Sequence, residues 1–323
     1  MNKSVIKGLV GSVVIVLLLL IIFRTRSPFG KNNSSFSSEP EKEITKIELS
    51  DNVKKLVIEE KGDNWLINGK SVARKSGVMF LLRILKEIKI KSPVSADLFE
   101  AEITSKNISG VKVKVYENRK LLKTFLVYKT QSNAYGNFAK LKETSKPFIV
   151  YVPGYEGDIG SGFILNELYW QPYLVFNLLP SEISSVNFEN LSDTTSSFKI
   201  TYKSQHYSLS SSKGVLTGWD STLVARYITY FARVPFESWS FGTADAWKKS
   251  NESDQSLYRI TVNTTQGRKN VLTLWALTKE KQGTKEIDSD RLLGKTDEND
   301  EFFIMRYFDI DPLIKKRSYF FPK

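Results

Sequence analysis

The side chains that most often carry enzyme chemistry are scarce in this sequence. It contains no cysteine and a single histidine, His206. A thiolate nucleophile, a disulfide framework and a cysteine-ligated metal site are therefore excluded, and one imidazole cannot supply a metal site built from several histidines. We expect His206 to be an ordinary surface or edge residue beside a strand, rather than a general base or a ligand.

The motifs that could bind a phosphate or a metal ion are incomplete. The run Gly154-Tyr-Glu-Gly-Asp-Ile-Gly-Ser-Gly162 lacks the Gly-Lys-Ser/Thr ending of a P-loop and the spacing of a dinucleotide-binding loop, so we interpret it as a turn. The acidic runs Asp288-Ser-Asp290 and Asp297-Glu-Asn-Asp-Glu301 lack the calcium-loop pattern, and we expect solvated loops. We predict no catalytic residue, metal or cofactor. A pair of hydrolase carboxylates, however, leaves no signature in one sequence.

The charge is basic and unevenly distributed. Lys and Arg number 47 against 35 Asp and Glu, which gives a net charge of +12; residues 43–160 carry +7 and residues 182–323 carry +2. Most of the lysines alternate with apolar residues, which is typical of a solvated surface, although an anionic bilayer would also attract them. No helix-turn-helix, zinc-finger or RNP motif accompanies the charge, so we expect no nucleic-acid partner.

The N-terminus has the composition of a membrane anchor. The uncharged segment Gly8 to Phe23, extended by the apolar residues before Lys7, approaches the length of about 20 residues that a bilayer core requires. No small-residue cleavage site precedes Arg24, which favours an uncleaved signal anchor over a cleaved signal peptide. The flanking charges are balanced, so the short N-terminal tail decides the expected orientation, with the tail in the cytoplasm.

These features predict a single-pass protein of the cytoplasmic membrane with its C-terminal domains in the periplasm. Residues 1–26 form the cytoplasmic tail and the transmembrane anchor. Residues 27–42 are rich in Ser, Asn and Pro, and we expect a flexible tether because they cannot bury enough apolar surface to fold.

The remainder of the chain contains an internal duplication. The alternating segment Glu43-Ile-Thr-Lys-Ile-Glu-Leu49 recurs as Glu182-Ile-Ser-Ser-Val-Asn-Phe188, which predicts the same half-buried strand in two copies. Residues 56–67 then align with residues 198–209 at a constant offset of 142, which places Trp65 on Tyr207, and both segments predict a hairpin.

A helical pattern follows the hairpin in each copy and predicts one amphipathic helix that covers a sheet. Each pattern ends before a proline, Pro93 or Pro235, and Asp220 or Ser221 is suited to cap the second helix. Three further strands are predicted in each copy. The apolar stripes consist of Val78, Leu81, Leu82, Leu85 and Ile88 in the first copy and of Leu223, Val224, Tyr227, Ile228 and Phe231 in the second.

The predicted fold class is therefore α+β: an N-terminal transmembrane helix followed by two duplicated units, each an antiparallel sheet with one packed amphipathic helix. The first α+β repeat is expected over residues 43–160 and the second over residues 182–323. Residues 161–181 form an apolar segment between them.

This apolar segment has two interpretations. It is too short and too polar for a second membrane span, so it either connects the two repeats as a packed element or exposes aromatic side chains to a partner. Tyr169, Trp170 and Tyr173 are the candidate partner-binding residues. We favour the packed connector, in which Trp170 is buried.

Three segments carry a resemblance to known proteins: Trp65-Leu-Ile-Asn-Gly-Lys-Ser-Val-Ala-Arg-Lys75, Lys91-Ser-Pro-Val94 and Pro147-Phe-Ile-Val-Tyr-Val-Pro-Gly-Tyr155. Over roughly residues 43–310 the sequence resembles a family of uncharacterised, membrane-anchored envelope proteins from the Bacteroidota. The resemblance implies a repeated α+β domain with no assigned activity; some larger relatives occur alongside transporter components of the gliding-motility type. The second copy departs from the pattern at Tyr207.

Two functions from different classes follow. The first is a non-catalytic envelope protein, an accessory or scaffold component that binds other envelope proteins close to the cytoplasmic membrane. The alternative is a membrane-anchored, carboxylate-dependent hydrolase of a glycan or peptide. We favour the binding protein, because the sequence marks no catalytic pair.

Overall fold

The computed structural model describes residues 35–130, 137–155, 157–243, 256–281 and 284–322. The chain divides between Pro172 and Tyr173 into two compact units, each with its own hydrophobic core. Within these residues, no helix has the length and apolar character needed to cross a bilayer. The predicted anchor lies outside the described part of the chain.

The first unit is built on a nine-stranded antiparallel sheet with one long helix. The strand order across the sheet is β4-β3-β2-β1-β6-β7-β8-β9-β5. The elements are β1 (Lys46–Ser50), β2 (Lys55–Lys61), β3 (Asn64–Ile67), β4 (Ser71–Val72), α1 (Lys75–Glu87), β5 (Lys89–Pro93), α2 (Ala96–Phe99), a π-helical turn (Glu100–Thr104), β6 (Val111–Glu117), β7 (Lys120–Tyr128), β8 (Asn137–Lys140), β9 (Phe148–Tyr151), a 3-10 turn (Ile159–Phe163) and α3 (Glu167–Trp170).

The second unit contains a nine-stranded antiparallel sheet of order β14-β13-β12-β11-β17-β18-β19-β20-β16 and a separate pair, β10 with β15. Its elements are β10 (Leu174–Phe176), β11 (Ile183–Asn190), β12 (Phe198–Lys203), β13 (His206–Ser211), β14 (Gly214–Val215), α4 (Ser221–Thr229), β15 (Val234–Pro235), β16 (Ser238–Ser240), β17 (Tyr258–Thr264), β18 (Lys269–Lys281), β19 (Thr284–Thr296), β20 (Phe302–Arg306) and α5 (Tyr307–Ile310), with 3-10 turns at Pro180–Glu182, Thr194–Ser196, Tyr230–Ala232 and Arg317–Phe320.

The two large sheets have the same strand order, which confirms the predicted pair of duplicated sheet units. The register agrees as well. Ile58 of β2 pairs with Ile67 of β3, and Ile200 of β12 pairs with Leu209 of β13, so the offset of 142 residues read from the sequence is the structural one. Each sheet nevertheless has nine strands, where the sequence predicted six in each copy.

The additional strands have physical reasons to escape a sequence pattern. The edge strands β4, β14 and β16 have two or three residues each, too few to show an alternation. Strand β19 includes Asp288 and Asp290, which were expected in a solvated loop. That expectation is wrong, because β19 pairs with β18 on both sides of these residues, at Ile287 and at Leu292. Asp288 is buried in the irregularity between them, where its Oδ1 accepts the N–H of Asp290 at 2.9 Å.

The predicted helices are present and bury the predicted stripes. In α1 the residues Val78, Leu81 and Leu85 are buried, and in α4 the residues Val224, Tyr227 and Ile228 are buried. Asp220 is the N-cap of α4, since its carboxylate accepts the backbone N–H of Thr222 at 2.7 Å. Each helix covers one face of its sheet.

Residues 35–42 pack into the first unit, so this part of the tether predicted over residues 27–42 is wrong; residues 27–34 lie outside the described part of the chain. Phe36 is buried and its ring packs edge-on against Phe125. The N–H of Ser38 donates to the carbonyl of Leu85 at the end of α1. The buried carboxylate of Glu117 accepts the N–H groups of residues 41 and 42 at 3.1 and 2.6 Å. These hydrogen bonds help to offset the entropy cost of ordering the segment. The composition of the segment did not reveal them.

The apolar segment over residues 161–181 is divided between the two cores instead of forming one connector. Trp170 closes the first core: its indole N–H donates to the carbonyl of Ile164 at 2.8 Å, and its own carbonyl accepts the N–H of Arg74 at the start of α1. In the second unit Phe320 has the same place, and its carbonyl accepts the N–H of Asp220 at 2.8 Å. Each unit therefore ends with an aromatic residue that closes the helix onto the sheet.

We expect Trp170→Ala to destabilise the first unit by about 3 to 5 kcal/mol, because it removes a fully buried aromatic side chain and leaves a cavity. Trp170→Phe is the matched control, since phenylalanine occupies the equivalent place in the second unit, and it should cost less than half as much. Hydrogen exchange followed by mass spectrometry reports the opening free energy for each unit separately. Unchanged exchange of the first unit in Trp170→Ala would contradict a core role.

Candidate functional site

The three aromatic residues predicted to bind a partner do not form one surface. Trp170 is fully buried and cannot offer its ring to a partner while the segment stays folded. Tyr169 is half-buried in the first unit, where the guanidinium of Arg74 lies 5.5 Å from its ring centroid. Tyr173 belongs to the second unit and stacks on Phe236 at 4.9 Å. These contacts account for the aromatic density of the segment as core packing.

The isolated residues considered for chemistry have structural roles. His206 is exposed at the start of β13, with Nδ1 2.7 Å from the carbonyl oxygen of Ser204. In the glycine-rich run, the N–H of Gly160 donates to Asn137 Oδ1 at 3.0 Å and to Asp158 Oδ1 at 2.8 Å, which holds a 3-10 turn against β8. The predicted turn is therefore present.

Carboxylates near cations in the second unit are engaged in ion pairs. Arg291 forms a bidentate pair with Glu237 at 2.7 and 3.1 Å, and this hydrogen bonding holds the pKa of Glu237 below its usual range. Arg306 pairs in the same way with Asp309. Across the described segments, no three His, Cys, Asp or Glu side chains converge in a group suited to a metal ion.

A lysine-rich surface lies on the side of the first sheet that faces away from α1. In β1, β2 and β6 the apolar residues point toward the helix, so alternate positions present Lys46, Lys55, Lys112 and Lys114 on the opposite side. We define these four residues as the lysine face. Since β1 lies between β2 and β6, the four side chains belong to adjacent strands.

Glu48 lies at the centre of the lysine face. Its carboxylate is 3.3 Å from Lys46 Nζ and 3.2 Å from Lys55 Nζ, and its Cα pairs across the sheet with that of Lys114. Among the described residues, neither Lys112 nor Lys114 forms an ion pair, so their ammonium groups are free to contact an external anion. On the same side of the sheet Glu59, opposite Lys46, pairs with Lys61 at 3.5 Å, so Lys112 and Lys114 are the two members of the lysine face without a carboxylate partner in the described residues.

The charge of the lysine face affects the ionisation of Glu48. Partial burial favours the neutral acid, but hydrogen bonds and charge interactions from Lys55 and Lys46 outweigh it and lower the pKa of Glu48 below its ordinary value. The carboxylate is therefore ionised at neutral pH, where it pairs with both lysine side chains.

The equivalent surface of the second unit carries a different set of side chains. Ser185 stands where the first unit has Lys46, Asn187 where it has Glu48, and Thr261 where it has Lys114, whereas Arg259 stands where it has Lys112, and Lys199, opposite Asn187, is a further cation. The two cores agree, whereas these two exposed faces differ. This difference within one chain marks the lysine face as a feature that the fold itself does not require.

Sequence reasoning noted the basic first half and read its alternating lysines as a scattered, solvated surface. The signal for the lysine face was the alternation itself, because a period of two places all those lysines on one side of a sheet. What the sequence did not reveal is that β6 pairs with β1. That long-range pairing brings Lys112 and Lys114 beside Glu48.

No family model matches the chain, and no curated protein or solved structure matches it either.

The lowered pKa of Glu48 gives a pH-dependent contribution to stability. Because the pKa is lower in the folded state than in the unfolded chain, the contribution is complete above the ordinary pKa of about 4.3 and is lost as the pH falls through the folded-state value. We expect NMR titration of the Glu48 carboxyl to show a midpoint below this ordinary value, and Lys55→Gln to move the midpoint upward. Lys199→Gln in the second unit is the control. A midpoint that Lys55→Gln leaves unchanged would contradict the ion-pair assignment.

Proposed function

We propose that this protein is a non-catalytic, membrane-anchored accessory protein of the cell envelope, and that its lysine face lies against an anionic bilayer surface. The observation that carries the proposal is the pair of uncompensated lysines, Lys112 and Lys114, on a sheet face that the helix leaves open. Each lysine that reaches an anionic bilayer contributes about 1 kcal/mol of binding free energy.

The position of the predicted anchor supports this proposal. The first unit begins at Ser35, about nine residues after Arg26, and a chain of that length reaches at most about 30 Å. If Gly8 to Phe23 spans the cytoplasmic membrane, the first unit stays close to the bilayer on the periplasmic side. The local concentration of lipid headgroups at its surface is then high, and weak contacts suffice.

The division of charge supports different tasks for the two units. The first unit, which carries +7 over residues 43–160, would orient the protein on the membrane, whereas the second unit, which carries +2 over residues 182–323, would be free to bind other envelope proteins. The resemblance to membrane-anchored Bacteroidota envelope proteins points in the same direction. The hydrolase alternative gains no support from Glu237 or Asp309, because both carboxylates are held by arginine.

Charge reversal on the lysine face tests the proposal. The chain from Ser35 onward, which lacks the anchor, should sediment with vesicles that contain about a quarter anionic lipid and not with neutral vesicles. We expect Lys112→Glu combined with Lys114→Glu to weaken binding by at least about 30-fold, since two contacts of about 1 kcal/mol each are lost.

The matched control is Arg259→Glu combined with Thr261→Glu, at the equivalent positions of the second unit. This variant also becomes more acidic, by three charges in place of four, but it leaves the lysine face intact, so we expect a much smaller loss. Equal losses in the two double variants would show that only net charge matters, and binding to neutral vesicles would exclude an electrostatic interaction. Either result would overturn the proposal.

A further inference from the structure

The second unit has an open strand edge beside a polar cleft. Strand β10 pairs only with β15, so its other edge has no neighbouring strand within the described residues. A cleft of about 210 Å³ lies along residues 174–178 and is bounded by the turn between β17 and β18 and by the loop before β20. Its polar lining consists of Asn177, Glu182, Thr264, Gln266, Arg268, Asn270 and Glu298, and the carboxylate of Glu182 accepts the N–H of Leu179 at 2.7 Å.

The first unit shows how the same edge is closed. Phe36 and Phe176 are equivalent, because each is buried two residues before an N–H group that donates to the end of the long helix, from Ser38 to Leu85 and from Leu178 to Phe231. Ser35 therefore corresponds to Val175. In the first unit, Lys123 Nζ donates to the carbonyl of Ser35 at 3.0 Å and so occupies this edge.

The second unit lacks the closing side chain. Lys123 pairs with Val115, and its equivalent Asn270 pairs with Val262. The amide nitrogen of an asparagine side chain is closer to the backbone by two bonds than the ammonium nitrogen of lysine, and across the described residues no side chain donates to the carbonyl of Val175. The edge that the first unit closes with its own lysine is therefore accessible in the second unit.

A cation stands beside this edge. The backbone of Arg268 is fixed in its turn, since its N–H donates to Thr264 Oγ1 at 3.0 Å and its carbonyl accepts the N–H of Thr264 at 2.8 Å. The Arg268 side chain is exposed and forms no ion pair with any carboxylate in the described part of the chain. An arginine whose backbone is fixed and whose guanidinium has no carboxylate partner is well suited to bind the carboxylate of a ligand.

We propose that the second unit binds an extended peptide segment of a partner protein, which adds as a strand to the open edge of β10 and places a carboxylate against Arg268. Strand addition provides affinity through backbone hydrogen bonds, and Arg268 provides selectivity. The carboxylate belongs either to an acidic side chain or to a chain terminus. The site is separate from the lysine face and does not depend on membrane docking.

Fluorescence anisotropy with the full-length protein in detergent tests the proposal. Three labelled probes are used: Thr-Val-Glu-Val-Thr with a blocked C-terminus, the same peptide with Gln in place of Glu, and Thr-Val-Thr-Val-Thr with a free C-terminal carboxylate. We expect saturable binding of at least one carboxylate probe below about 1 mM, at least about tenfold tighter than the Gln peptide. The tighter of the two carboxylate probes identifies the source.

Variants assign the binding to the cleft. Asn270→Lys restores the closing residue of the first unit and should weaken all binding at least about tenfold, while Arg268→Gln should remove the preference for a carboxylate. Arg259→Gln, which changes a half-buried arginine on the sheet face, and Lys123→Asn in the first unit should leave binding to the second unit unchanged. Circular dichroism verifies that each variant is folded.

The outcomes are distinct. Absence of saturable binding by all three probes up to about 1 mM overturns the proposal, as does binding that Asn270→Lys leaves unchanged. A carboxylate preference that survives Arg268→Gln overturns the role of Arg268. Because vesicle binding is measured with other variants, failure here leaves the membrane proposal intact, and failure there leaves this one intact.

Discussion

Burial of one side of each sheet under a single long helix is the constraint on which the rest of the molecule depends. Strand residues alternate between the two sides of a sheet, so the positions that face the helix must be apolar. In the first unit these include Ile47, Ile58 and Val113, all fully buried. The terminal aromatic residue completes the enclosure, because it accepts a backbone hydrogen bond from the residue that precedes the helix. The alternate positions are released from this constraint.

The duplication shows how far the residues on the solvent side of the sheet can change. The two units retain one strand order and one register while their exposed positions change: Lys46 and Lys114 correspond to Ser185 and Thr261, and Lys123 corresponds to Asn270. Such substitutions cost little stability because surface positions tolerate change. One fold thus presents a cationic sheet face in its first copy and an open strand edge in its second. This arrangement fits a protein in which two copies divide the work of attachment and recognition.

The sequence predicted those parts of the fold that local patterns determine. The hairpins around Trp65 and Tyr207 and the stripe of Leu81 were found because each pattern is complete within a few residues. Phe36 was missed because it lies alone in a serine-rich run, and its burial depends on contacts with Phe125, far along the chain. The apolar residues between 161 and 181 indicated burial, but they could not show which part of the segment packs into the first core and which into the second. The candidate sites depend on strand pairings between distant segments, which one sequence does not display.

Differential labelling of lysines tests the central claim, that the two sheet faces have diverged in function, most directly. Lysines are acetylated in the chain from Ser35 onward, with and without anionic vesicles, and each site is quantified by mass spectrometry. We predict that Lys112 and Lys114 lose most of their reactivity on vesicles, whereas Lys199, on the corresponding face of the second unit, and Lys269 retain theirs. Equal protection of Lys199 and Lys269, or full reactivity of Lys112 and Lys114 on bound vesicles, would contradict the account.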